Sequence, residues 1–113
     1  MNNKNLAQKA ALIWSTKDLK TLDDFYATDC ILHQQHQGKD TTFQGIEAWR
    51  RYVEEFHCTY PDYQEKVVEQ IAEGDKVVSV IECSALDVRW SGIVLDRIEG
   101  GKIKETWAWC KRV

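Results

Sequence analysis

Proline and long apolar runs are scarce in this chain. Pro61 is the only proline, and no segment approaches the roughly 20 apolar residues that a membrane-spanning helix needs. The first residues, MNNKNLAQKAALIW, also lack an apolar stretch long enough for a signal peptide. We therefore expect a cytoplasmic protein with no membrane partner. Hydrophobic residues at 43% and charged residues at 29% are typical of a folded globular chain rather than a disordered one.

Paired cysteine motifs and an excess of positive charge are missing as well. The four cysteines never form a CxxC pair, which argues against a zinc site and a redox motif, so we expect small, buried, reduced thiols. They are Cys30, Cys58, Cys83 and Cys110. A net charge of -3, with scattered lysines and arginines, gives no reason to bind phosphate backbones. We therefore do not expect a nucleic-acid partner.

The pattern of apolar residues predicts three helices in the first half of one domain that spans residues 1–113. The first helix has Leu6, Ala10, Ile13 and Trp14 on one stripe. Asp18 is predicted to cap a second helix that buries Leu19, Leu22, Phe25 and Tyr26. The strongest prediction is a third helix, whose apolar stripe is Ile46, Trp49, Tyr52, Val53 and Phe56.

Strands are predicted mainly in the second half of the chain. Residues 30–36 suit a first strand, followed by a polar loop that Gly45 closes. Strands over 63–72 and 76–86 are joined by Glu-Gly-Asp, and strands over 94–98 and 103–110 by Glu-Gly-Gly. In the strand over 63–72, Val67 and Ile71 are predicted to share a face. Helices followed by a mainly antiparallel meander predict an α+β fold, in which a curved, aromatic-lined sheet can enclose a small apolar molecule.

Four separated blocks carry a resemblance to a known family: LDDFYATDCILH, FQGIEAWRRYVEEFHCTYPDY, IAEGDKVVSV and DRIEGGKIKETW. In this order they resemble the SnoaL-like branch of the nuclear transport factor 2-like superfamily. The resemblance implies a cone-shaped α+β barrel with an internal pocket, in which a curved, mainly antiparallel sheet packs against three helices. It also implies a homodimer formed through the sheet. Members include isomerases, cyclases, dehydratases, epoxide hydrolases and non-catalytic modules.

Enzymes of this superfamily commonly move a proton inside an apolar cone, and this chemistry requires a base and a donor that holds the developing oxyanion. His33 stands where the family often places a histidine, at the end of the first strand, and is the leading acid–base candidate. A hydrogen-bonded structural role is the alternative. A metal site formed with His36 is not predicted, because side chains three residues apart on a strand leave from opposite faces.

Two acidic residues are weaker candidates. Asp87 lies near a predicted turn, where it faces the mouth of the cone or makes a turn hydrogen bond. Glu105 alternates with Ile103, Trp107 and Trp109, so it enters the pocket if that face looks inward; the alternative is a structural role. Polyketide-cyclase members carry an aspartate late in the final strand, where this chain has TWAWCKRV. That departure argues against an aldol-type cyclase reaction.

Eight aromatic residues are candidates for the pocket lining: Trp14, Tyr26, Trp49, Tyr52, Phe56, Trp90, Trp107 and Trp109. They either pack on one another and fill the interior, or line a gap that grips a flat apolar ligand, and some cover the dimer face. The first predicted function is the binding of a small hydrophobic or aromatic molecule by an isomerase, cyclase or hydratase that uses acid–base chemistry and no cofactor. The second is a non-catalytic ligand-binding or dimerisation module.

Overall fold

The computed structural model describes residues 2–36 and 38–113, without the side chain of residue 36. Helix α1 spans Asn3–Thr16, and a 3-10 turn at Leu19–Thr21 leads into the short helix α2, Leu22–Phe25. Helix α3 spans Ile46–Thr59. The strands are β1 Tyr26–His36, β2 Lys39–Gln44, β3 Gln64–Glu73, β4 Lys76–Ala85, β5 Val88–Glu99 and β6 Lys102–Arg112.

The strands form one open, curved sheet in the order β2-β1-β6-β5-β4-β3. Strands β1 and β6 pair in parallel, and the other four pairings are antiparallel. Helix α1 lies against β3 and β4, while α3 lies against β1 and β2, so all three helices cover the same face. We call this the inner face and the opposite one the outer face. The predicted α+β cone with a mainly antiparallel sheet is confirmed.

Local sequence features explain where the two long helices begin and what holds the second one in place. The side chain of Asn2 accepts a hydrogen bond from the N–H of Asn5 at 2.8 Å, which satisfies one of the free donors at the start of α1. Gly45 precedes α3 with φ 87° and ψ 152°, a conformation that essentially only glycine adopts. Trp49 and Val53 of α3 are buried, so this helix is held by its apolar stripe.

Two local predictions are wrong. The residues predicted as a polar loop after Gly38 form strand β2, whose place at the edge of the sheet lets it carry exposed polar side chains. The second helix is only one turn long, and the side chain of Asp18 makes no capping hydrogen bond. Tyr26, expected on that helix, begins β1 instead.

Bulges change which side chains reach the interior. In β3, Val67 pairs with Ile81 but Glu69 pairs with Val80, so one extra residue stands in β3 between them. An extra residue reverses the alternation of side chains beyond it. Val67 therefore packs inward while Ile71 is 63% exposed on the outer face, and the prediction that they share a face is wrong.

The cysteines are all free thiols. Cys30 and Cys83 are buried and Cys110 is partly buried, whereas Cys58 is exposed near the end of α3, contrary to the prediction that all four are buried. Burial raises the pKa of the thiols of Cys30 and Cys110 to about 11. None of the helices in the described residues combines the length and the apolar character needed to cross a membrane.

Candidate functional site

A partly enclosed cavity of about 60 Å³ lies between the helices and the inner face of the sheet. One water molecule needs roughly 10–15 Å³ of such space, and an engineered cavity of about 150 Å³ holds benzene. The cavity therefore has room for a few waters or a group smaller than a benzene ring. Seven aromatic residues contribute to its wall: Trp14, Tyr26, Trp49, Tyr52, Phe56, Tyr63 and Trp90.

The aromatic residues largely pack on one another, which explains the small size of the cavity. The ring of Trp14 makes edge-to-face contacts with Trp49, Phe56 and Tyr63 at centroid distances of 5.5, 5.0 and 5.8 Å. Such pairs add stabilisation beyond the area that they bury. At the carboxyl end of α1, the ring Nε2 of His57 donates to the carbonyl oxygen of Trp14 at 2.8 Å, which ties α3 to α1.

The first polar group of the cavity is the carboxyl of Asp96, on β5. Asp96 is only 4% exposed and pairs across the sheet with Thr106 of β6. The hydroxyl of Thr106 donates to Asp96 Oδ1 at 2.6 Å, and no other side chain of the described residues donates to this carboxyl. Burial penalises the charged form and raises the pKa of Asp96 to about 7, although the hydrogen bond from Thr106 opposes this shift.

The second polar group is the carboxyl of Glu65, on β3. The hydroxyl of Tyr63 donates to Glu65 Oε1 at 2.9 Å, and the thiol of Cys83 lies 3.7 Å from the same oxygen. The side chain of Ser15 holds the backbone here, since it accepts from the N–H of Glu65 at 2.8 Å and donates to its carbonyl oxygen at 3.2 Å. Helix α1 thus holds the backbone from which this carboxyl projects.

The charge of Asp96 also acts on the carboxyl of Glu65. Burial is the largest cause that raises the pKa of Glu65 to about 7, and the negative charge of Asp96 raises it further against the opposing hydrogen bonds. Like charges in a low-dielectric site favour a state in which only one carboxyl is ionised. Near neutral pH the pair can therefore supply one base and one acid in the same cavity.

The structure places six of the eight predicted aromatic residues around this cavity, but not Trp107 and Trp109. These two lie on the outer face of β6, where Trp107 pairs with Leu95 and Trp109 pairs with Ile93. Trp109 is 44% exposed. The two tryptophans share a face, as predicted. That face points away from the helices, so the prediction that they line the internal pocket is wrong.

The predicted inward placement of His33 and Glu105 is also corrected. Nε2 of His33 lies 2.7 Å from Oε2 of Glu105, and the imidazole stacks on Trp107 at a centroid distance of 5.4 Å. Arg97 lies 3.6 Å from the other oxygen of Glu105. This cluster occupies the outer face, outside the cavity. The catalytic roles of His33 and Glu105 stay predictions. The location inside the cavity, on which these roles were based, is not found.

A bulge in β6 explains the error for Glu105. Ile98 pairs with Ile103 while Arg97 pairs with Glu105, so β6 contains one extra residue at this point. Ile103 is fully buried on the inner face, and beyond the bulge it is Thr106 rather than Glu105 that faces inward.

Asp87, the remaining catalytic candidate, is exposed in the turn between β4 and β5 and does not line the cavity. At the end of β6, Ala108 and Cys110 line the cavity where the resemblance led us to look for an aspartate. A carboxyl is nevertheless present nearby, because Asp96 of the neighbouring strand lies opposite Thr106.

Sequence reasoning missed Asp96 and Glu65. A signal for Asp96 exists, since it alternates with Val94 and Ile98 in an apolar strand. Glu65 alternates in the same way with Tyr63 and Val67. Within the part of the chain that the structure describes, no group of three or more histidine, cysteine, aspartate or glutamate side chains is arranged to hold a metal ion.

Comparisons with solved structures identify the fold. IdmH from Streptomyces antibioticus, a candidate polyketide cyclase, superposes with a TM-score of 0.82 at 16% identity over 98% of this chain and 93% of its own. A candidate ketosteroid isomerase from Kribbella flavida gives a TM-score of 0.81 at 18% identity, and the match covers 96% of this chain and 77% of the isomerase chain. A protein of unknown function from Xanthomonas campestris gives a TM-score of 0.81 at 24% identity, and the match covers 97% of this chain and 91% of that protein's chain. These identities support a common fold only.

Among curated proteins, none matches this sequence. The family model for SnoaL-like polyketide cyclases, in contrast, matches residues 4–113, almost the whole chain. That match agrees with the cone-shaped fold and with the cavity between helices and sheet. The chain therefore belongs to the family of SnoaL-like polyketide cyclases.

Proposed function

We propose that the protein binds a small, largely apolar molecule in the cavity and moves a proton on it by means of Asp96 and Glu65. The observation that carries this proposal is the presence of a buried carboxyl, Asp96, and a partly buried one, Glu65, each with a pKa of about 7, in the wall of one aromatic cavity. A catalytic acid or base works best when its pKa lies near the operating pH. Carboxyls shifted this far from their ordinary pKa are typical of functional sites.

The hydrogen bonds define which oxygens are available for proton transfer. Oδ1 of Asp96 and Oε1 of Glu65 accept from protein donors, whereas no hydrogen bond from the described residues reaches Asp96 Oδ2 or Glu65 Oε2. Whichever carboxyl is ionised can take a proton from a carbon next to a carbonyl, while the protonated one donates. This reaction class covers isomerisation, cyclisation and the addition or loss of water.

A donor to the developing oxyanion is also available. Tyr26 lines the cavity, and burial raises the pKa of its hydroxyl well above the ordinary value, so the hydroxyl stays protonated. A protonated hydroxyl in a water-poor site stabilises negative charge on a substrate oxygen. Tyr26 is the residue that we assign to this role.

Deuterium exchange at the α-carbon of acetone and butanone, two ketones small enough for the cavity, tests the proposal. The wild-type protein in D₂O should accelerate exchange, and the double variant Asp96→Asn with Glu65→Gln should lose about 10²-fold or more of that rate, because both proton carriers are removed. Glu54→Gln, on the exposed side of α3, is the matched control. Equal rates for the wild type and the double variant would refute the assignment.

The same assay decides between the cavity carboxyls and the residue that sequence reasoning favoured. His33 lies on the outer face and stacks on Trp107. His33→Ala should therefore retain the full exchange rate. A loss comparable to that of the double variant would return the catalytic role to His33.

A second candidate function is a non-catalytic module that forms a homodimer through the outer face. The observation that favours it is the group of exposed apolar side chains there, with Trp109 44%, Ile93 47% and Ile71 63% exposed. Contiguous exposed apolar residues commonly mark interaction surfaces, and most soluble homo-oligomers are two-fold dimers. Sedimentation equilibrium at micromolar concentration should give the dimer mass, and a monomer at that concentration would contradict this proposal.

A further inference from the structure

Acidic side chains line the cavity, and no basic side chain accompanies them among the residues that the structure describes. Among the described residues that line it, Asp96 and Glu65 are acidic, and none is lysine, arginine or histidine. Their hydrogen-bond partners are neutral groups, the hydroxyls of Thr106 and Tyr63 and the thiol of Cys83. Buried carboxylates are normally paired with a positive charge. None of the described lining residues supplies one.

The rest of the wall suits a positive ligand. Indole, phenol and phenyl rings present faces that carry negative electrostatic potential, and a desolvated cation over such a face is stabilised. Trp14, Trp49, Tyr52 and Phe56 lie side by side on one side of the cavity. Aromatic walls together with a carboxylate are the arrangement that proteins use to bind methylated ammonium groups.

The oxygen atoms of Asp96 provide an independent indication. This residue is 96% buried, and only its Oδ1 receives a hydrogen bond from the described residues, the one from Thr106. Its second oxygen belongs to a carboxyl that lines the cavity. Since this second oxygen is not among the fully buried atoms that lack a partner, it is open to a ligand or a water in the cavity.

We propose that the cavity selects a small organic ammonium group over neutral or anionic groups of the same shape, with Asp96 as its counter-ion and the aromatic wall around its methyl groups. The volume of about 60 Å³ favours a compact head group over a ring. An anion would meet two carboxyls and, among the described lining residues, no positive side chain, so we expect the cavity to reject it. This inference rests on the proposed function only in placing the ligand in the same cavity, and it names the chemical class of that ligand.

Choline and 3,3-dimethyl-1-butanol form the deciding pair of ligands, because the second replaces the trimethylammonium group by a neutral tert-butyl group of similar shape. Binding can be followed at pH 8 through the indole N–H signals of the five tryptophans of ¹⁵N-labelled protein. Choline should shift the signals of Trp14, Trp49 and Trp90, with a Kd at least about tenfold lower than that of the alcohol. Asp96→Asn should bring the two Kd values within about twofold.

Three results would overturn the inference. If the neutral alcohol binds as tightly as choline to the wild type, ammonium selectivity is refuted while an apolar ligand remains supported. If choline shifts only the signals of Trp107 and Trp109, the cation binds at the outer face. If neither ligand gives a saturable shift, the inference fails, and the ketone exchange assay still judges the proposed function separately. The comparison of the two Kd values in the wild type needs no variant. It therefore decides the question even if Asp96→Asn fails to fold.

Discussion

Replacing Asp96 by asparagine should stabilise the protein at alkaline pH and leave its stability unchanged at acid pH. Burial raises the pKa of Asp96 from 3.8 to about 7, a difference of about 3 units. One unit corresponds to roughly 1.4 kcal/mol, so keeping this carboxyl ionised in the folded protein costs at most about 4 kcal/mol. Asparagine has nearly the same shape, and its Oδ1 can still accept from Thr106, but it carries no charge to bury.

The direction of the pH dependence follows from proton binding. Between about pH 4, where an unfolded aspartate loses its proton, and about pH 7, the folded state holds more protons than the unfolded state. The free energy of unfolding of the wild type therefore falls as pH rises through this window. Asp96→Asn removes this contribution, so the two proteins should agree near pH 4 and diverge up to about pH 7.

Urea unfolding at closely spaced pH values from 4 to 9 measures this difference. Asp96→Asn should exceed the wild type by about 2–4 kcal/mol at pH 8, since relaxation around the charge reduces the upper limit. Glu54→Gln, which neutralises an exposed carboxyl, should follow the wild type at every pH. Parallel curves for Asp96→Asn and the wild type would refute the reasoning, because they would show that Asp96 has the same pKa folded and unfolded.

Two further substitutions test the sheet itself. A Cβ at Gly92 would lie 2.7 Å from the carbonyl oxygen of Trp109 and 3.0 Å from the sulfur of Cys110, so Gly92→Ala should lower the free energy of unfolding by about 1–3 kcal/mol, measured by urea unfolding. Trp109→Glu should abolish the dimer proposed above, measured by sedimentation equilibrium, and lower the free energy of unfolding of the monomer by about 1 kcal/mol, because the side chain is only 44% exposed. An unchanged Gly92→Ala protein, or a dimeric Trp109→Glu protein, would contradict these expectations.

The fold was largely predictable because its strongest signals are local. The apolar stripe around Trp49 and Val53 defines α3, and glycine turns separate the long strands of the second half. Strand β2 was missed because an edge strand has one side in water and needs few apolar residues. A polar edge strand has the composition of a loop, and only the pairing with β1 distinguishes the two.

The site was less predictable because alternation does not say which face of a strand is buried. In β1, Ile31 and His33 share one face while Cys30 and Leu32 share the other, and both sets contain apolar residues. The bulge in β6 then reversed the alternation, which moved Glu105 outward. The abundance of tryptophan on the outer face of β6 made that face resemble a pocket lining.

The carboxyls of Asp96 and Glu65 in the cavity are the proton carriers proposed above. Titration of the side-chain carboxyl ¹³C signals by NMR tests this claim most directly. Both signals should titrate near pH 7, with Asp96→Asn lowering the pKa of Glu65 because it removes the neighbouring charge. Ordinary pKa values near 4 for both residues, unaffected by each other's substitution, would contradict the account.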